Sequence, residues 1–154
     1  MNKNVLRHGP IIKLVAQAND IPAHILAGLV EQESGGNEFA IRVEPGYRWL
    51  FGDDPHEDLK KPQTQSAKTE WAGQRISWGL GQVMGAVARE HGFSGWFPRL
   101  CCPTVGLIYA GKHLAWCISR KRNIAAGLLR YNGGGDPNYP DAVLAKAAKY
   151  QTKL

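Results

Sequence analysis

The sequence is poor in the residues that staple small folds or hold metals. It has three cysteines, an odd number, with Cys101 and Cys102 adjacent, Cys117 apart, and no CxxC spacing. That pattern supports neither a disulfide framework nor a zinc site, so buried thiols made in a reducing compartment are expected. The five histidines, His8, His24, His56, His91 and His113, show no HExxH spacing, and neither a metal nor a cofactor is expected. Long apolar runs are also missing. The stretch from Ile11 to Ala18 is broken by Lys13 and Gln17, which is too short and too polar for a signal peptide or a membrane span. No stable membrane insertion is therefore expected, and a target outside the cytoplasm would require export by another route.

Acidic residues are the minority: 13 Asp and Glu stand against 19 Lys and Arg, giving a net charge of +6 and a pI near 9.4. A basic surface favours an anionic partner, either nucleic acid or an acidic polymer such as the bacterial wall. A nucleic-acid binder concentrates Lys and Arg on one face with interleaved aromatics. Here the basic residues are scattered from Lys3 to Lys153, and Arg120, Lys121 and Arg122 form the densest run, as expected of a solvated helix end. The five tryptophans, Trp49, Trp71, Trp78, Trp96 and Trp116, are equally dispersed and are assigned to the core or to the insertion described below. No nucleic-acid partner is expected. The 154 residues, 44% of them hydrophobic and 21% charged, fit one globular domain spanning 1–154, expected to be a monomer.

The apolar pattern predicts a mainly α protein. Ile11, Ile12, Leu14, Val15 and Ala18 suit a short amphipathic helix ending near Asn19 and Asp20. Asp20 is placed to cap the next helix, with Pro22 in its first turn and Ile25, Leu26, Leu29 and Val30 as its apolar stripe. Gly35 and Gly36 end it. From about 38 to 76 the character changes: Pro45, Pro55, Pro62, Gly46, Gly52 and the polar run Gln63–Thr69 predict a loop-rich insertion. Helical character is expected again after Gly79 through Val83, Val87 and Ala88, stopping at Gly92. Further helices are expected from Pro103, around Ile124–Leu129, and from Pro140 to Tyr150.

Glu33 is the informative residue. Leu26, Leu29 and Val30 precede it by seven, four and three positions, so it ends an apolar helix face. A carboxyl in that position is partly desolvated, which raises its pKa and lets it donate a proton near neutral pH. The alternative is a side chain that swings to solvent from the helix end. Three segments argue for chemistry. Gln32-Glu33-Ser34-Gly35-Gly36-Asn37 surrounds the acid, and Ser77-Trp78-Gly79-Leu80-Gly81-Gln82-Val83-Met84 supplies small residues and an amide. Tyr131-Asn132-Gly133-Gly134 supplies an aromatic hydroxyl and a second amide before a glycine turn.

In order and spacing these segments resemble the lysozyme-like lytic transglycosylases, over roughly Ile21 to Asp136, and the stretch Ser34–Arg48 is similar to bacteriophage members. The resemblance implies a lysozyme-like domain with a cleft between helical lobes, and peptidoglycan glycan strands as partner. Glu33 would be the catalytic acid. Gln82 and Asn132 would contact substrate, and Tyr131 would orient Glu33 or the sugar. Ser34 and Ser77 would hold the site, and Gly79 would keep the cleft floor low. The setting implied is a phage or prophage endolysin, bacteriolytic, held in the host cytoplasm until released to the wall, with a virion-borne role using the same chemistry.

The chain departs from that pattern at three places. Gly81 stands where a bulky Met is common, leaving a cleft wall that is either open or filled by Met84. Arg130 replaces an alanine before Tyr131. The long insertion would act as a lid or bring Glu44 and Tyr47 to the cleft. A second carboxylate able to activate water would make the protein an inverting hydrolase similar to goose-type lysozyme. Glu44 is the candidate, against its being a turn residue or a partner of Arg42 or Arg48. A non-catalytic wall-binding module is the remaining alternative.

Overall fold

The computed structural model describes residues 1–54 and 56–154. The fold is mainly α, with eight α-helices and one small sheet among the described residues. Helices α1 (Lys3–Leu6), α2 (Gly9–Ala18) and α3 (Ala23–Ser34) precede strand β1 (Ile41–Val43). Helix α4 (Ala67–Gln74), strands β2 (Ile76–Trp78) and β3 (Val83–Met84) and helix α5 (Gly85–Glu90) follow. A 3-10 turn at Phe97–Cys101 then leads into α6 (Pro103–Lys121), α7 (Ile124–Tyr131) and α8 (Tyr139–Ala147). The sheet is antiparallel in the order β1-β2-β3, with Ile41 opposite Trp78 and Ser77 opposite Met84.

Two apolar clusters form the core. The larger gathers Val5, Ile12, Leu26, Leu29, Val30, Leu107, Leu114, Leu128, Val143 and Tyr150 from the helices. The smaller packs Trp78, Val83, Ala88, Phe93, Phe97, Leu100 and Ala110 beside the sheet. Helix α6 contributes to both, Leu107 and Leu114 to one and Ala110 to the other. It is the shared wall of the two lobes.

Helix α3 is almost entirely internal, with Ile25 through Val30 all buried. It lies unusually close to α8. A Cβ on Gly28 would stand 2.7 Å from the Ala147 Cβ and the Val143 carbonyl oxygen. Only glycine allows that approach, at a cost in helix propensity of roughly 1 kcal/mol. Gly35, at φ +60°, takes the left-handed conformation that ends α3, as its sequence position predicts. The expected cap at the other end differs. Asp20 is itself left-handed at φ 54°, and Pro22 occupies the N-cap position. The tight link from α2 makes Ile21 N donate back to the Ala16 carbonyl, which turns Asp20 away from the helix start.

The insertion is more ordered than a loop-rich reading allows. β1 lies within it and pairs with β2, and α4 is capped by Ser66 and held by a buried polar network. Pro55, one of the prolines behind that reading, lies outside the described residues. Glu70 and Arg89, both fully buried, form a two-point ion pair at 2.8 and 3.0 Å. Gln65 and Gln74 also donate to the Glu70 carboxylate, and Arg89 donates to the Phe93 and Gly95 carbonyls at 2.6 and 2.9 Å. Gln74 clamps Phe51 through both its N–H and C=O. The run Gln63–Thr69 reads as loop because polarity normally marks solvent, and most of it is exposed. Gln65 turns inward, where it, Glu70 and Gln74 satisfy one another.

The segment after Gly79 also differs, since Val83–Met84 is strand and only Gly85–Glu90 is helix. Of the cysteines, Cys117 is buried as expected, Cys101 is intermediate and Cys102 exposed.

The Glu70–Arg89 pair generates a stability prediction. Replacing Glu70 with Ala leaves a guanidinium buried without its counter-charge, so urea unfolding should show a loss of about 3–5 kcal/mol. A loss no larger than that of a surface mutation would contradict the network described here.

Candidate active site

A single large cleft of about 870 Å³ runs between the end of α3, the β1 strand with the segment following it, and the wall formed by α6 and α7. Of the residues singled out from sequence, Glu33, Glu44, Tyr47, Ser77, Gln82, Tyr131 and Asn132 line it together. Ser34 and Gly79 stand behind the lining. The insertion therefore does bring Glu44 and Tyr47 to the cleft.

Glu33 sits in the last turn of α3, where the apolar face of that helix withdraws it from water. Burial raises its pKa above the usual carboxylate range; the Tyr139 hydroxyl bonded to it and the Arg42 charge act in the opposite direction, less strongly. Tyr139, at the start of α8, donates its hydroxyl hydrogen to Glu33 Oε1. Burial and the Glu33 charge push the Tyr139 hydroxyl pKa far up, so it remains a donor. Tyr139 is the residue that sequence reasoning missed. It lies outside the three motifs, and its only signal was an aromatic hydroxyl opening the helix that packs on Gly28.

Tyr131 does something other than orient Glu33. Its hydroxyl donates to the Gly81 carbonyl at 2.7 Å, tying the end of α7 to the cleft floor. Burial first, then the Glu33 charge, raises its pKa, which places it near the acid without bonding it. Gln82 lines the cleft with its amide already engaged by the protein. Its amide donates to the Ala40 and Gly79 carbonyls at 2.9 and 3.0 Å, and its oxygen accepts from Ser77 Oγ at 3.1 Å. With both N–H groups committed, Gln82 is a staple that holds its own left-handed backbone, φ 48°, against β1.

Ser34 and Ser77 hold the site as expected. Ser34 Oγ donates to the Leu80 carbonyl at 2.8 Å and accepts from Gly36 N at 3.2 Å, and Ser77 Oγ reaches the Arg42 carbonyl at 3.3 Å. Gly79 combines φ +69° with a close approach, for a Cβ there would meet the Leu100 carbonyl oxygen at 2.3 Å. The position of Gly81 is not an open wall. A Cβ there would stand 2.5 Å from the Ala110 Cβ, so α6 fills the space and Met84 lines the cleft separately.

Glu44 is both a cleft residue and a partner of Arg42. Arg42 Nε stands 2.5 Å from Glu44 Oε1 without hydrogen-bond geometry, and that oxygen is shielded from solvent with no other partner. Arg42 thus acts on both cleft carboxyls, since its charge also favours ionised Glu33. Tyr47 meets Trp49 edge to face at 5.5 Å, and Trp49 is 74% exposed on the cleft rim.

On the opposite wall His113, Trp116 and Arg130 line the cleft, and motif reading assigned none of them there. His113 lies 3.1 Å from a His91 nitrogen and 3.7 Å from Cys117 Sγ. Burial, then the charges of His91 and Arg130, lowers its pKa to about 3, so it is neutral at ordinary pH. Asn132 caps α7, exposed at the cleft edge. Among the described residues, no group of three or more His, Cys, Asp or Glu side chains is placed to hold a metal ion. No described helix is long and apolar enough to cross a membrane.

Comparison of the chain with protein-family models, with curated proteins and with solved structures finds no match.

Two expectations follow from Glu33. The folded protein holds its proton to higher pH than the unfolded chain does. The stability Glu33 contributes is therefore present below its unfolded pKa and is lost as pH rises through its folded one. Glu33→Gln should stabilise the protein by on the order of 1 kcal/mol at neutral pH. The gain should vanish below roughly pH 4, where the carboxyl is protonated in both states. Urea melts of both proteins at two pH values check this, and a pH-independent difference would contradict it. Tyr139→Phe removes the donor that favours the ionised form. The Glu33 carboxyl, followed by carbon-13 NMR, should then titrate at higher pH than in the unmutated protein.

Proposed function

We propose that this protein is a peptidoglycan lytic transglycosylase with a lysozyme-like catalytic domain and Glu33 as its acid. The observation that supports the reading most is a single desolvated carboxyl, pKa raised, held by a tyrosine hydroxyl in a cleft of saccharide dimensions. An acid that holds its proton to higher pH than a free carboxyl can give that proton to a glycosidic oxygen.

In this reading Glu33 protonates the oxygen linking N-acetylmuramic acid to N-acetylglucosamine. The substrate's acetamido oxygen stabilises the positive charge left at C1. Glu33, now a carboxylate, takes the proton of the muramoyl C6 hydroxyl, and the C6 oxygen closes on C1 to give the 1,6-anhydro sugar without consuming water. The donor from Tyr139 supports Glu33 in its ionised stage. The exposed indole of Trp49 offers a face for sugar stacking, and Ser34, Ser77, Gln82 and Tyr131 keep the cleft floor in place. A basic surface suits an acidic wall polymer. The setting we assign is phage-induced lysis, with a monomer accumulating in the host cytoplasm before it reaches the wall.

A second reading is carried by Glu44, a carboxyl in the same cleft. Were it to activate water, the reaction would be hydrolysis, as in goose-type lysozyme. Its contact with Arg42 argues against that role, because the oxygen facing the guanidinium is shielded from solvent and not placed to take a proton from water.

Muropeptides released from purified sacculi, analysed by mass spectrometry, separate these readings. Anhydro products, lighter by one water than reducing muropeptides and absent with Glu33→Gln, are the expected result. Reducing ends that are lost with Glu44→Gln would establish the hydrolase. Binding to sacculi without any release would leave a wall-binding module.

A further inference from the structure

The cleft wall built by α6 and α7 carries two cations that make no ion pair among the described residues. Lys121 and Arg130 line the cleft, and neither reaches a carboxylate within ion-pair distance among the described residues. On the facing wall, by contrast, Arg42 is matched by Glu44.

Cations at helix C-termini are common because they offset the helix dipole, and that accounts for the run Arg120–Arg122. Arg130, in the last turn of α7, can do the same, but its guanidinium has a further partner. Its guanidinium rests 4.4 Å from the centre of the Trp116 ring. Trp116 is itself stacked on His113 at 5.8 Å with an interplanar angle of 17°. His113 is fixed between His91 and Cys117. The cation therefore sits on a layered aromatic platform whose base is anchored in the interior, and little side-chain freedom remains to be lost on binding. A guanidinium laid on an aromatic face keeps its N–H edge free, and that edge matches a carboxylate in two-point fashion.

Resting on the reading of this cleft as a glycan site, we propose that Arg130, with Lys121 lining the same cleft, seats a carboxylate carried by the glycan. The seat makes the protein selective for acidic over neutral amino-sugar polymers. Two sources offer that chemistry: the lactyl carboxyl of a muramic residue freed of its peptide, and the carboxylates of a peptide stem, which is joined to that carboxyl as an amide.

The test measures binding on the Glu33→Gln protein, which cannot turn over substrate, with and without Arg130→Ala. Three probes are used: peptide-bearing wall glycan oligomers, the same oligomers stripped of peptide by an amidase, and neutral N-acetylglucosamine oligomers. Arg130→Ala should weaken binding of an acidic probe about tenfold and of the neutral probe by less than about twofold. Arg130→Lys should recover only part of the loss, since an ammonium keeps the charge without the fork. An effect that survives on stripped glycan assigns the seat to the lactyl carboxylate, and one present only with peptide assigns it to the stem. Equal weakening on neutral and acidic probes would reduce Arg130 to part of the stacking platform and overturn the inference, as would no change on any probe. Arg130 is exposed, so folding is not at stake in these variants. If the unmutated protein releases no muropeptides and Glu33→Gln binds none of the three probes, the wall reading itself fails. Release without discrimination by Arg130 would sink the carboxylate seat alone.

Discussion

The close approach of α3 and α8 at Gly28 is the constraint on which the candidate site depends. Without a side chain at that position the two helices meet backbone to backbone. At that spacing the start of α8 brings the Tyr139 hydroxyl to Glu33. Separate the helices by the width of a methyl group and the donor moves off the carboxyl. The buried stripe Ile25–Val30 supplies the area that holds α3 in the interior, and the same burial desolvates Glu33 one turn later. Packing and electrostatics at this site have one origin.

The protein buries two carboxyls in opposite ways. Glu70 is fully compensated: two N–H groups of Arg89 and the amides of Gln65 and Gln74 surround it. Glu33 has a neutral hydroxyl as its direct donor and feels Arg42 only as a nearby charge. A compensated carboxylate fixes structure, since its partners on several segments are all committed to its two oxygens. An under-compensated carboxyl keeps its proton more readily and can give it up, so incomplete satisfaction marks the reactive member of the pair.

Much of the helical framework was legible in the sequence, because apolar spacing and the stops at Gly35 and Gly92 are local properties. So was Glu33, which ends an apolar stripe in consecutive residues. The gathering of Ser77 and Asn132 with Glu33 was an expectation from motif order, that of Glu44 and Tyr47 one of two roles offered for the insertion, and the fold places them on one cleft. What could not be read was set by distant partners. Tyr139 belongs to Glu33 only because of the helix contact at Gly28. Gln82 is a staple and not a free amide because Ala40 lies beside it. Gln65 read as part of a solvated run because the network it joins through Glu70 closes on Arg89, on another helix.

The way the insertion is sewn in bears on how such a domain can be rebuilt. The Ala40 carbonyl accepts from both Gly79 N and the Gln82 amide, Ser77 Oγ donates to the Arg42 carbonyl, and Glu70 closes on Arg89. Each tie runs between the segment and a different part of the cleft floor or the helix behind it. The segment is therefore not an interchangeable cassette, although its composition suggests one. A recombinant that exchanged residues 38–76 for the short connection of another protein would lose the staples of its own floor. Viable chimeras would have to carry β2, β3 and α5 across with it, and the natural crossover points lie outside that block, before Asn37 and after Gly95.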